Sequence, residues 1–136
     1  MSQFESKIKV ISYNQERVYA KLSDLNNLQA LKDRMPADKI KNLNFDSDSL
    51  SFDASPVGEI RLKIVDKVEP KTIKFETVKS PIPFNLWIQL VETGEEECKL
   101  KLTVRIDINP FMKGMIQKPL QEGLEKMAET LAVIQY

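Results

Sequence analysis

Apolar side chains recur at every second position over most of this chain and at every third or fourth position in two stretches. The first rhythm puts alternate side chains on opposite faces of a strand; the second lines them along one stripe of a helix. Phe4, Ser6, Ile8 and Val10 alternate with Glu5, Lys7 and Lys9, which predicts a strand with one wet face. Asn14 is placed to cap a helix by accepting from the free N–H groups of its first turn. Val18, Leu22 and Leu25 follow at helical spacing. Asn26 and Asn27 interrupt the pattern, and Leu28, Leu31 and Met35 predict a second short helix. Pro36 stops it, because proline cannot continue the hydrogen-bond ladder.

A β-rich stretch comes next. Ile40 to Phe45 and Ser49 to Ala54 read as strands around a turn at Asp46-Ser47-Asp48, whose short polar side chains bond nearby backbone. Pro56-Val57-Gly58 is a second turn. Ile60, Leu62 and Ile64 then face one way and Arg61 and Lys63 the other. Beyond Glu69-Pro70-Lys71, Ile73 and Phe75 oppose Lys74 and Glu76. Ser80-Pro81-Ile82-Pro83 breaks the ladder before Phe84, Leu86, Ile88 and Leu90, which are backed by Asn85, Trp87 and Gln89. Thr93 to Glu97 is a charged hairpin loop. In the last strand Cys98, Leu100, Leu102, Val104, Ile106 and Ile108 share a face against Lys99, Lys101, Thr103, Arg105 and Asp107. Strands joined in sequence by short turns make an antiparallel meander with one solvated face.

The final segment changes period. Asn109 is a good cap and Pro110 fits the first helical position. Met112, Met115, Ile116, Leu120, Leu124, Met127, Leu131 and Ile134 form an apolar stripe opposite lysines, glutamines and glutamates. Run to the end, this helix is on the order of 40 Å long at ~1.5 Å per residue. Two short helices cannot cover so large a sheet, so the long helix must lie across its apolar face. The expected class is α+β: about seven antiparallel strands curved around a long C-terminal helix, with two short helices after the first strand.

Composition adds bounds. The 136 residues fit one domain, 1–136, and a chain this size buries roughly two thirds of its unfolded surface. Lysine plus arginine and aspartate plus glutamate both number 20, so the whole chain has no net pull toward nucleic acid or an anionic membrane. The single cysteine, Cys98, precludes an internal disulfide and fits a reducing compartment. The start carries no basic, apolar leader, and no long apolar run spans a membrane. The chain is therefore expected in the cytoplasm, without integral membrane association, as a monomer or weak homodimer. Histidine is absent, which removes Ser-His-Asp and Cys-His chemistry; zinc would have one cysteine and carboxylates only. No metal or cofactor is expected.

The order of elements resembles a known group, carried by Phe4 to Val10, Val18 to Asp24, Gly58 to Leu62, Pro119-Leu120 and Met127-Ala128. It looks like the START-like helix-grip superfamily (SRPBCC, Bet v 1-like), which includes lipid-transfer domains, plant allergen-type carriers, polyketide cyclases and coenzyme Q-binding proteins. The resemblance implies a sheet gripping a helix over nearly the whole chain, with an apolar ligand held between them. It implies no universal catalytic motif, and fold alone does not confer function.

The candidate site is the space lined by Leu62, Ile64, Phe75, Leu86, Ile88, Leu102, Val104, Met112, Met115, Ile116, Leu120 and Leu124. A ligand cavity and a packed core both satisfy such a set, since burying any of these side chains contributes ~1.5–3 kcal/mol. Adaptable methionines, Pro119 within the helix and the small Gly123 favour the cavity. Cys98, in register with leucines, is expected to point inward. Asp46, Asp48 and Glu95 to Glu97 read as solvated turns, because the calcium-loop glycine and distal glutamate are missing. Trp87 on the outer face either anchors a partner or lies under lysine stems. Ser6, Asp66 and Thr77 are the polar exceptions among inward positions, too few for a catalytic set. The expected function is non-catalytic binding of a lipid-like or polycyclic small molecule. The alternatives are a protein-interaction module with a packed core and a cyclase- or hydratase-type enzyme.

Overall fold

A computed structural model describes residues 2–27, 40–54, 58–80, 82–134 and 136, with the backbone alone for 40–43 and 54. The second predicted helix, around Leu28, Leu31 and Met35, lies outside the described residues, as do Pro56-Val57 and Pro81. The elements are β1 (Ser2–Glu5), β2 (Lys9–Ile11), α1 (Gln15–Leu22), β3 (Ile40–Phe45), β4 (Ser49–Ala54), β5 (Gly58–Val68), β6 (Thr72–Lys79), β7 (Phe84–Gly94), β8 (Glu97–Ile106) and α2 (Pro110–Ala132). Six of the strands, β3 to β8, run as an antiparallel meander, and the sheet is ordered β1-β8-β7-β6-β5-β4-β3 with β2 also on β8.

The predicted first strand is thus two strands on one neighbour. Phe4 sits opposite Val104, but Ile11 sits opposite Cys98, so one residue more is used on the edge side than on β8. Such a bulge reverses every side chain that follows it. Phe4 and Ser6 point inward as expected, whereas Ile8 and Val10 are 61% and 53% exposed and Ile11 takes the buried place. Ser6 fixes the break: its N–H donates to the Leu102 carbonyl and its hydroxyl accepts from the Leu102 N–H, both at 2.9 Å.

A second irregularity lies between Ile64 and Asp66 of β5. Ile64 faces Phe75 on the inner side, and Asp66 then faces Lys74, so Asp66 belongs to the outer face, not to the inward polar set. Gly58, which opens β5, has φ 107°, a conformation that side chains with a Cβ rarely adopt.

The helices begin where their caps predict. Asn14 accepts from the Arg17 N–H at 2.7 Å, and Asn109 accepts from the Met112 N–H at 2.8 Å. Helix α1 buries Val18, Tyr19 and Leu22, and its Gln15 amide donates to the Leu90 carbonyl of β7 at 3.0 Å. Helix α2 spans 23 residues, ~35 Å. It reaches over the β1–β2 break, where the Glu125 carboxylate accepts from the Lys7 N–H at 2.6 Å and Gln121 donates to the Glu5 carbonyl at 2.8 Å. These bonds satisfy backbone groups of an edge that would otherwise stay open to pairing. At the far end the Tyr136 hydroxyl donates to the Leu131 carbonyl, the Tyr136 ring meets Tyr13 edge-on at 5.9 Å, and Arg17 donates to the Tyr136 carbonyl. The core is one cluster drawn from the inner face of the sheet, α1 and the later turns of α2.

Candidate functional site

The inner face of the sheet is built by strict alternation. Leu62 and Ile64 of β5, Phe75 of β6, Leu86 and Ile88 of β7 and Leu102 and Val104 of β8 are all buried. Pairing puts Ile64 beside Phe75, Phe75 beside Leu86, Leu86 beside Val104 and Ile88 beside Leu102. The seven strand positions predicted for the site therefore form one continuous apolar floor.

The five helix positions separate. Leu124 is buried; Ile116 and Leu120 are partly buried against the core, and Met112 is half-buried. Met115 is 66% exposed. At ~100° per residue it lies about 60° from Met112, which takes it off the stripe and toward solvent. Lys113 falls within the azimuth of that stripe and is nevertheless exposed. The first turns of α2 are thus less closely covered than the last, where Leu124, Ala128 and Leu131 are buried. Pro119 stands between the two halves and removes the donor that the Met115 carbonyl would otherwise receive.

Each inward polar group has a local task. Ser6 is committed to the Leu102 backbone and also donates to the Lys7 carbonyl at 3.0 Å. Thr77 accepts from the Phe84 N–H at 3.2 Å. Burial raises the pKa of Tyr19, and the negative charges of Glu69 and Asp66 push it the same way, so its phenol stays protonated. The Cys98 thiol is buried, as expected, and is also raised, first by burial and then by Glu97, which makes it a poor nucleophile at neutral pH. Among the described residues no group of three or more Cys, Asp or Glu side chains is placed to hold a metal ion.

Two surface features flank the site. A shallow groove of about 350 Å³ runs along α2, lined by Gly114, Gln117, Lys118, Gln121 and Glu122. Its lining shares no residue with the predicted set. On the outer face Trp87 lies between Lys74, 5.5 Å from the ring centroid, and Arg105, 5.8 Å from it. The two cations cover the ring, and the neighbouring Thr103 donates to Gln89 at 2.8 Å.

No family model matches the chain, and no curated protein does. Solved structures do. Norcoclaurine synthase from Thalictrum flavum, in complex with dopamine and hydroxybenzaldehyde, superposes with a TM-score of 0.74 at 15% identity, covering 96% of this chain and 84% of that one. A truncated form of the same enzyme gives 0.76 at 14% identity, covering 99% and 94%. A START superfamily protein from Mycobacterium smegmatis gives 0.61 at 16% identity, covering 95% and 98%. At such identities the likeness concerns the fold alone. The antiparallel sheet, the crossing C-terminal helix and these superpositions together show that the chain has the helix-grip fold, which it shares with norcoclaurine synthase and the START superfamily protein.

Proposed function

We propose that this chain binds an apolar small molecule between the first turns of α2 and the inner face of the sheet. One observation carries the reading: a single helical stripe is half-buried at Met112, Ile116 and Leu120 but buried at Leu124, Ala128 and Leu131. Apolar side chains half in water gain from a ligand that displaces that water. The floor beneath is aliphatic and aromatic, so desolvation would drive binding and a lipid-like or polycyclic molecule suits it. Sequestration without chemistry is supported by the commitment of Ser6 and Thr77 to backbone groups.

A second reading is catalytic, of the cyclase or hydratase kind. The fold comparison favours it over a bare carrier, because the enzyme norcoclaurine synthase superposes at the TM-scores of 0.74 and 0.76. In that case the ligand itself would bring most of the reactive groups, with Thr77, opposite Leu62, the polar side chain beside the floor.

Native mass spectrometry tests both. The purified chain, alone and after incubation with fatty acids, sterols, quinones and small aromatic aldehydes, is expected to carry an adduct that leaves on denaturation. Leu120→Trp, which would place a bulky ring where the ligand is proposed to sit, is expected to abolish it. Chemical conversion of the released molecule with time would move the assignment to the catalytic reading. Failure of every class to bind would refute the pocket.

A further inference from the structure

Among the described residues the most exposed large apolar side chain is Phe111, at 82% exposure, and Met115 follows one turn later. Neither belongs to the stripe that faces the sheet. Holding both in water forfeits the gain of burying them, which points to a surface that removes them from water.

Charge along α2 is divided. From Pro110 to Gln121 the helix carries Lys113 and Lys118 and no acid; Glu122, Glu125 and Glu129 all come later, with Lys126 among them. Neither Lys113 nor Lys118 forms an ion pair among the described residues. The acidic exception at this end is Asp107, just before the cap. The overall charge balance of the chain therefore hides a cationic, apolar tip at one end of one helix. The two lysines are five positions apart, about 140° around the axis, so both meet one planar surface only if the helix approaches it end-first. The pairing of Phe84 with Ile106 brings Ile82 and the exposed Pro83 to the same end of the sheet.

We propose that the first turns of α2 dock end-first on an anionic lipid surface. Phe111 and Met115 enter the headgroup–acyl boundary, and Lys113 and Lys118 meet the acidic headgroups. This contact is peripheral; no helix among the described residues is long and apolar enough to cross a membrane. It does not rest on the ligand reading, because Phe111 and Met115 lie off the apolar floor and its facing stripe.

Sedimentation of the full chain with vesicles tests it. Vesicles of phosphatidylcholine mixed with phosphatidylserine are expected to retain the protein, and pure phosphatidylcholine vesicles far less, with retention falling as salt rises. Replacing both lysines, Lys113→Gln with Lys118→Gln, is expected to weaken retention by about 30-fold. Phe111→Ser with Met115→Ser is expected to weaken it by at least about 10-fold. All four side chains are exposed, so circular dichroism and the melting temperature should stay at the wild-type values. Absence of retention on the acidic vesicles overturns the proposal, as does retention that ignores the Phe111 and Met115 changes. A doubled mass in light scattering that Phe111→Ser abolishes, without vesicle binding, also overturns it and assigns the tip to a second copy of the chain.

Discussion

The two halves of α2 share one helix and one apolar period and differ in almost everything else. From Gln121 onward Leu124, Ala128 and Leu131 are buried, Glu125 and Gln121 bond the broken edge strand, and Tyr136 ties the end of the chain to α1. Before Gln121 the inward residues are half-open, the outward ones include bare Phe111 and Met115, and the charges are all positive. The difference teaches that amphipathic period fixes the direction a helix faces, while the reach of its partner decides which turns are held. The later turns serve stability; the earlier ones are left half-open.

The largest expected effect separates them by truncation. Leu124→Ala should cost ~2–5 kcal/mol by denaturant unfolding, whereas Met115→Ala should change stability by less than ~0.5 kcal/mol. Equal costs at the two positions would end the distinction. Alkaline titration comes next. Burial holds the Tyr136 phenol well above its ordinary pKa of 10.0 in the folded state. The unfolded chain then loses that proton first, so the stability tied to this group is complete below about pH 10 and is lost progressively above it. Tyr136→Phe should flatten part of the alkaline slope while lowering stability at neutral pH through loss of the bond to Leu131. A slope unchanged by this substitution would show that the latch is not buried. The smallest effect belongs to Gly123, where an added Cβ would meet no atom within 4 Å. Gly123→Ala should gain ~0.5–1 kcal/mol, and a loss instead would mean that the helix needs the glycine to bend at the junction.

The meander was legible in the sequence because its signals are local. The caps Asn14 and Asn109, the alternation of β5 to β8 and the turn after Phe45 all appear where short-range pattern places them. The face of a strand was legible only up to the first extra residue. Alternation carries parity, and a bulge resets parity without changing composition. Ile8 and Val10 are as apolar as Phe4, so nothing local signals that they turn outward. Asp66 is reversed for the same reason. In the site, the strand floor was readable and so was the helical stripe. What the sequence withheld was the division of that stripe, because where the sheet stops covering the helix is a tertiary property. The lysine asymmetry of α2 was visible in the sequence, but the balanced total of 20 and 20 concealed it.

Cys98, the one thiol of the chain, is shut in beneath the edge, opposite Ile11 of β2. That position makes it a built-in clock. A small alkylating reagent reaches the sulfur only in the intervals when the structure around it opens, so the labelling rate in native buffer counts how often this part of the core breathes.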